Sequence, residues 1–162
     1  MVVSEGLLKW AMRIYPPLLF QRIWVVKFSK GFTGVKVKIN NSWLNRNYNR
    51  SIFGGTLFAA ADPFYPVLFH QLFTKKGYNV VAWSKSAEIQ FLKPGLTNLY
   101  FDIKITNEEI SEAEHVLNTG GKYIKTHPID IYDTNGEVCV SLMKEVYVRN
   151  LNFTDYNNAG NN

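Results

Sequence analysis

Between residues 55 and 73 apolar side chains recur on every side of the helix that the spacing predicts: Leu57, Phe58, Phe64, Tyr65, Val67, Leu68, Phe69, Leu72 and Phe73. A helix of that kind has to be enclosed by other structure. Two prolines interrupt it. Pro63 cannot donate to the carbonyl of Ala59, nor Pro66 to that of Asp62, so a bend near Asp62 is predicted. Asp62 is also the only carboxylate of the segment, and a carboxylate in apolar surroundings needs an explanation. The residues leave two open. Asp62 can cap the helix restarted at Pro63, accepting from N–H groups two or three residues on, or it can be kept for chemistry. Just ahead stand Gly54 and Gly55, which let backbone approach a ligand closely or a helix pack tightly on a sheet.

The remaining chain supplies the enclosure. Residues 5 to 20 form an amphipathic helix with Leu7, Leu8, Ala11, Ile14, Tyr15, Leu18 and Leu19 near one face and Lys9 and Arg13 turned away, broken or bent at Pro16-Pro17. Only two basic residues line its polar face, so a helix packed on the domain is favoured over a membrane-surface anchor. Residues 24 to 28 and 34 to 39 read as strands, the second alternating Val35, Val37 and Ile39 with Lys36 and Lys38. An Asn-rich connection, residues 40 to 47, leads toward the two glycines and reads as a candidate binding loop. Strands follow at 80 to 92, 99 to 105, 123 to 132 and 138 to 149. Pro128 implies an edge or a bulge in the third of these, and Asn135-Gly136 marks a hairpin between the last two. Residues 107 to 119 are acidic and read as a short surface helix or loop. There are no internal repeats. A curved antiparallel sheet wrapped around the central helix, with a second subunit closing the structure, satisfies this pattern. The expected class is α+β, the hot-dog arrangement, in one domain spanning 1–149 with an extra N-terminal helix and a flexible Asn-rich tail over 150–162.

Composition narrows the function classes. At 162 residues the chain can bury a core without disulfides or metals, and its single cysteine, Cys139, rules out an internal disulfide and suits a reducing, cytoplasmic location. Cys139 lies in a strand and reads as a small buried hydrophobe. The net charge of +5 comes from cations spaced singly along alternating strands, which argues against a nucleic-acid track. No run reaches the length of a membrane span, and the first residues lack the basic flank of a signal peptide. His70, His115 and His127 share no ligand spacing, so no metal site is expected, and His70 reads as a packed histidine.

The spacings around the glycine pair resemble those of hot-dog fold thioesterases, in particular the phenylacetyl-CoA thioesterase-like group. There an Asn is followed six residues later by His-Gly-Gly, with an acid seven residues past the second Gly; Asn47, Phe53-Gly54-Gly55 and Asp62 keep those spacings. An uncharacterised branch of the group is similar over a longer span, through Tyr15-Pro-Pro17, Phe53-Gly-Gly55, Ala61-Asp-Pro-Phe-Tyr65, Trp83-Ser-Lys85 and Phe91-Leu-Lys-Pro-Gly95. The resemblance covers residues 7 to 149. It implies a homo-oligomer, a dimer or dimer of dimers, with sites between subunits and a thioester of coenzyme A or acyl carrier protein as substrate. No cofactor is implied beyond the coenzyme A moiety of the substrate. In this reading Asp62 is base or nucleophile, the Gly55 N–H stabilises the oxyanion, and Asn47 and Ser84 contact or orient water. Phe53, Gly54, Phe58, Tyr65 and Trp83 would line the substrate site. Phe53 replaces the group's His and removes a hydrogen-bonding side chain beside the glycines. A non-catalytic binder of acyl-CoA or fatty acyl chains is the alternative that this replacement keeps open.

Overall fold

The computed structural model describes residues 3–153. Helix α1 (Glu5–Ile14) begins at Ser4, whose hydroxyl accepts from the Leu7 N–H, and ends where Pro16 holds Tyr15 in an extended conformation. Pro16–Phe20 form a short helix α2, so the segment from 5 to 20 is two helices. Strands β1 (Ile23–Phe28) and β2 (Gly34–Ile39) follow, linked by a 3-10 turn over Lys30–Phe32. The apolar segment is also two helices, α3 (Gly54–Ala61) and α4 (Phe64–Lys75), separated at Asp62-Pro63 where the missing proline N–H groups predict a break. Strands β3 (Val80–Phe91) and β4 (Leu99–Lys104), helix α5 (Asn107–Thr119) and strands β5 (Lys122–Tyr132) and β6 (Val138–Asn150) complete the order. Residues 154–162, most of the expected tail, lie outside the described residues.

All six strands join one antiparallel sheet in the order β1-β2-β4-β5-β6-β3. Its inner face is built by alternation: Val35, Val37 and Ile39 from β2, Leu99, Phe101 and Ile103 from β4, Val140, Leu142, Val146 and Val148 from β6, all buried. Against it lie Phe64, Leu68, Phe69 and Phe73 of α4, with Phe64 meeting Phe101 edge to face at 5.8 Å between ring centres. Each such side chain favours the folded state by about 1.5–3 kcal/mol over its exposed form. This curved sheet around a buried helix is the hot-dog fold. Gly34 is required where β2 passes β4, because a Cβ there would stand 2.5 Å from the Ile103 carbonyl oxygen.

One expectation needs correction. The inner face of α1 is Leu8 and Met12, continued by Leu18, whereas Leu7, Ala11, Ile14, Tyr15 and Leu19 are exposed. Arg13 sets that rotation. Its Nε donates to the Val25 carbonyl at 2.8 Å and Nη2 to Val26 at 3.4 Å, so the helix turns its arginine onto the open carbonyl edge of β1 instead of into solvent. The acidic segment takes the first of its two expected forms, a surface helix over Asn107–Thr119. Thr106 and Glu109 form a capping box at its start, and Glu112 and Glu114 pair with Lys125 and Lys76. Pro128 sits comfortably in β5 because β5 meets β4 only at Tyr100 and Tyr132, leaving the proline side of the strand without a ladder partner.

Candidate active site

At the start of α3 the chain offers donors without acceptors. Phe53 is the N-cap residue and supplies no side-chain cap. Its carbonyl accepts from Thr56 and Leu57, while among the described residues the N–H groups of Gly54 and Gly55 carry no hydrogen bond. Those two N–H groups point out of the helix end, where its dipole favours negative charge. A side chain at Gly55 would overlap the Phe53 ring, and one at Gly54 would press on Phe91 at 3.1 Å, so the glycine pair lies between two exposed aromatic rings. Beside it a cavity of about 300 Å³ is lined by Asn47, Ser51, Gly54, Phe91 and Lys93 among others. Asn47 is committed on one side. Its Oδ1 accepts from the Asn49 N–H, the Ser51 N–H and the Ser51 hydroxyl at 2.9, 3.2 and 3.1 Å, shaping the loop as an Asx turn and leaving only its NH2 group for a ligand.

Asp62 lies in the break between α3 and α4, seven residues past Gly55, which along a helix is about 10 Å. Its Oδ1 accepts from Lys144 Nζ. The Lys144 side chain is 2% exposed and the Asp62 side chain 50%, so the cation is sealed inside while the carboxylate shows its other oxygen to solvent. The Phe58 ring lies 5.1 Å from the ammonium and completes the enclosure. Ser84 joins this group through the backbone. Its hydroxyl donates to the Asp62 carbonyl at 3.1 Å, the carbonyl that Pro66 leaves without a helical donor.

Tyr65 and Trp83 are placed elsewhere. Tyr65 is buried, donates to the Pro128 carbonyl at 3.1 Å and stacks on His127 at 4.5 Å. Trp83 stands on the face of β3 opposite Ser84 and stacks on Tyr147 at 4.2 Å. Of the expected site residues, the fold therefore unites Phe53, Gly54, Gly55 and Asn47 at one end of α3, and Asp62, Phe58 and Ser84 at the other.

Of two polar residues of the interior, the sequence reading missed Lys144 and weighed His127 only as a metal ligand. Lys144 and His127 face each other across the β5–β6 ladder, both on the buried side of the sheet. Their signal was available: Lys144 occupies the inward parity of Val140, Leu142, Val146 and Val148, and His127 that of Tyr123, Ile129 and Ile131. Burial holds the imidazole of His127 below its ordinary 6.5, opposed by Glu109, whose Oε1 is 3.4 Å from Nδ1. Among the described residues Nε2 of His127 and the hydroxyl of Tyr123 are buried without hydrogen bonds. Burial also pushes the hydroxyls of Tyr65 and Tyr123 well above the usual phenol range. Cys139 is buried and its thiol is pushed up by desolvation, the state of an inert cysteine.

Solved structures that share this fold include proteins described as thioesterases. A Pseudomonas aeruginosa protein of unknown function, described as a "Probable Thioesterase", superposes with a TM-score of 0.82 at 17% identity, over 93% of this chain and 98% of that one. A thioesterase from Haemophilus influenzae gives 0.68 at 11% identity, over 96% and 97% of the two chains. The E. coli PaaI protein from the phenylacetic acid degradation operon gives 0.58 at 14%, over 93% and 99%. Within that fold the sequence family is narrower: the model of the domain of unknown function DUF4442 matches residues 4–148, and the chain belongs to that family. No curated protein matches the chain.

Proposed function

We propose that this protein hydrolyses acyl thioesters of coenzyme A or of acyl carrier protein, in an active site assembled from two copies of the chain. The observation that carries this reading is the separation of its two halves. The free N–H groups of Gly54 and Gly55 and the carboxylate of Asp62 lie about 10 Å apart along one helix, too far to act on one carbonyl, while both remain open to a second molecule. The edge of the sheet supports a shared site. Strand β3 is twelve residues long, pairs only with β6 and carries exposed Trp83 and Phe91, an edge that a second β3 can cover.

In the assembled site the thioester carbonyl accepts from the Gly55 N–H of one protomer, where charge develops as the tetrahedral intermediate forms. Asp62 of the partner subunit takes a proton from water, the hydroxide oxygen bonds to the carbonyl carbon, the C–S bond breaks and the proton passes to the leaving thiolate. Direct attack by the carboxylate, giving an anhydride that water then opens, uses the same atoms. Lys144 anchors one carboxylate oxygen and leaves the other for the reaction. The lone buried Cys139 agrees with a cytoplasmic setting, and no described helix is long and apolar enough to cross a membrane.

Phe53 favours a second reading. With an aromatic ring where the resembling thioesterases carry His, the site can hold an acyl-CoA without turning it over. A thiol-release assay across short, medium and aromatic acyl-CoA substrates, run beside equilibrium binding of the same compounds, separates the two. Release of free coenzyme A by the wild-type protein supports hydrolysis; tight binding with no release selects the binder.

A further inference from the structure

Cations are distributed unevenly along this chain. Nine Lys and Arg fall among residues 1–50 against one acidic residue, Glu5, so this part carries all of the chain's positive excess. Glu5 does not offset them at the surface, since its carboxylate accepts from Lys75 and from the Gly31 N–H. Among the described residues Lys9, Arg13, Arg22, Lys27 and Lys38 have no carboxylate partner.

The same region exposes a continuous apolar face. Because α1 turns Met12 and the half-buried Leu8 to the core, Leu7, Trp10 and Ile14, spaced by three and four, form a second apolar stripe turned to solvent. Trp10 is 55% exposed and Ile14 69%. Beyond the proline turn the face continues through Tyr15 and Phe20, the latter 68% exposed. It then passes to the outer side of β1. The Arg13 guanidinium lies 4.7 Å from the Trp10 ring centre and 4.2 Å from that of Trp24, joining helix and strand into one surface. Beside Trp24 runs a groove of about 470 Å³ with an apolar floor of Leu19, Trp24 and Val26 and two cations, Arg22 and Lys38, on its rim.

We infer that this face docks the protein on an anionic phospholipid surface. Aromatic and aliphatic side chains at the centre suit the boundary between headgroups and acyl chains, and unpaired cations at the rim suit lipid phosphates. A second copy of the chain fits poorly, because a two-fold contact on this face would bring the unpaired cations of both copies into one interface with no carboxylate on the face to meet them. The inference departs from the expectation drawn from the two basic residues of α1 alone, because α1 both packs through Met12 and exposes Leu7, Trp10 and Ile14 beside further cations. It does not depend on the catalytic reading.

Flotation with vesicles tests it. Wild-type protein is expected to float with equimolar phosphatidylcholine and phosphatidylglycerol, to stay behind with phosphatidylcholine alone, and to lose binding as salt is raised. Trp10→Ser with Ile14→Ser should abolish flotation, and Arg22→Gln with Lys27→Gln should weaken partitioning about 25-fold, taking about fivefold per cation. All four positions are exposed, so melting of both variants is expected to match the wild type, and each variant tests the face on its own. Failure of the wild type to float on the anionic vesicles overturns the inference, as does flotation unchanged in both variants. A variant-dependent change in sedimenting mass also overturns it, by assigning the face to contacts between copies.

Discussion

Replacing Asp62 by alanine leaves the Lys144 ammonium sealed among Phe58 and the β6 side chains with no counter-charge. Breaking a buried ion pair from one side costs about 3–5 kcal/mol. Half of the Asp62 side chain is in solvent, so water can follow into the vacated space and the cost is discounted below that range, to about 2–3 kcal/mol. For a chain of this length that corresponds to a melting temperature lower by about 5–10 °C. The converse variant behaves differently. Lys144→Met removes the charge while keeping much of the volume, and Asp62 can hydrate, so its cost is about 1 kcal/mol or less. The double variant Asp62→Ala with Lys144→Met should then be more stable than Asp62→Ala alone, with a coupling of about 2 kcal/mol. Urea unfolding of the four proteins by circular dichroism measures it. If Asp62→Ala and the double variant unfold at the same midpoint, the pair is not an enclosed charge and its compensator, and the reasoning fails.

Further expectations concern the titrating interior, the strand crossing and the assembly. Since His127 is held below 6.5 by burial, the unfolded chain binds a proton that the folded one does not, and stability should fall as pH drops below about 6.5, by at most about 1.4 kcal/mol per pH unit for this group. His70, shifted the same way by burial, adds to the slope; His127→Phe should remove about one proton's share of it in urea midpoints measured across that range. Glu5 and Glu114, held low chiefly by Lys75 and Lys76, contribute in a separate window that opens only below their ordinary 4.5. Gly34→Ala forces a Cβ against backbone that cannot yield, and should cost about 1–3 kcal/mol in the same assay. Sedimentation equilibrium should return at least twice the chain's 18.6 kDa; fully active monomer would exclude a site shared between copies. Lys144→Met should lower kcat with little change in KM, since the ammonium aims the carboxylate and does not hold the acyl group.

Much of this was readable because local pattern and final burial agree. Val35, Val37 and Ile39, or Leu99, Phe101 and Ile103, alternate in sequence and are buried in the structure, and the prolines after Asp62 announce the helix break. Where two patterns competed, sequence could not choose. Helix α1 has one apolar stripe through Leu8 and Met12 and another through Leu7, Trp10 and Ile14, and the choice was made by Arg13 reaching the edge carbonyls of β1, a contact with no local signature. The partner of Asp62 was hidden for a similar reason. Lys144 lies 82 residues away, and only its inward parity among valines and leucines marked it. Ser84, expected to orient water, is tied to the Asp62 carbonyl by a bond that exists because Pro66 cannot make it. Phe53 is legible as a departure from the resembling thioesterases, and its ring over Gly55 gives that departure a shape.

The most direct test of the account is turnover by Asp62→Asn, which keeps an oxygen acceptor for Lys144 while removing the base or nucleophile. With the best acyl-CoA substrate of the wild type, kcat/KM is expected to fall at least about 100-fold while the variant remains folded. Turnover equal to the wild type would contradict the assignment of Asp62.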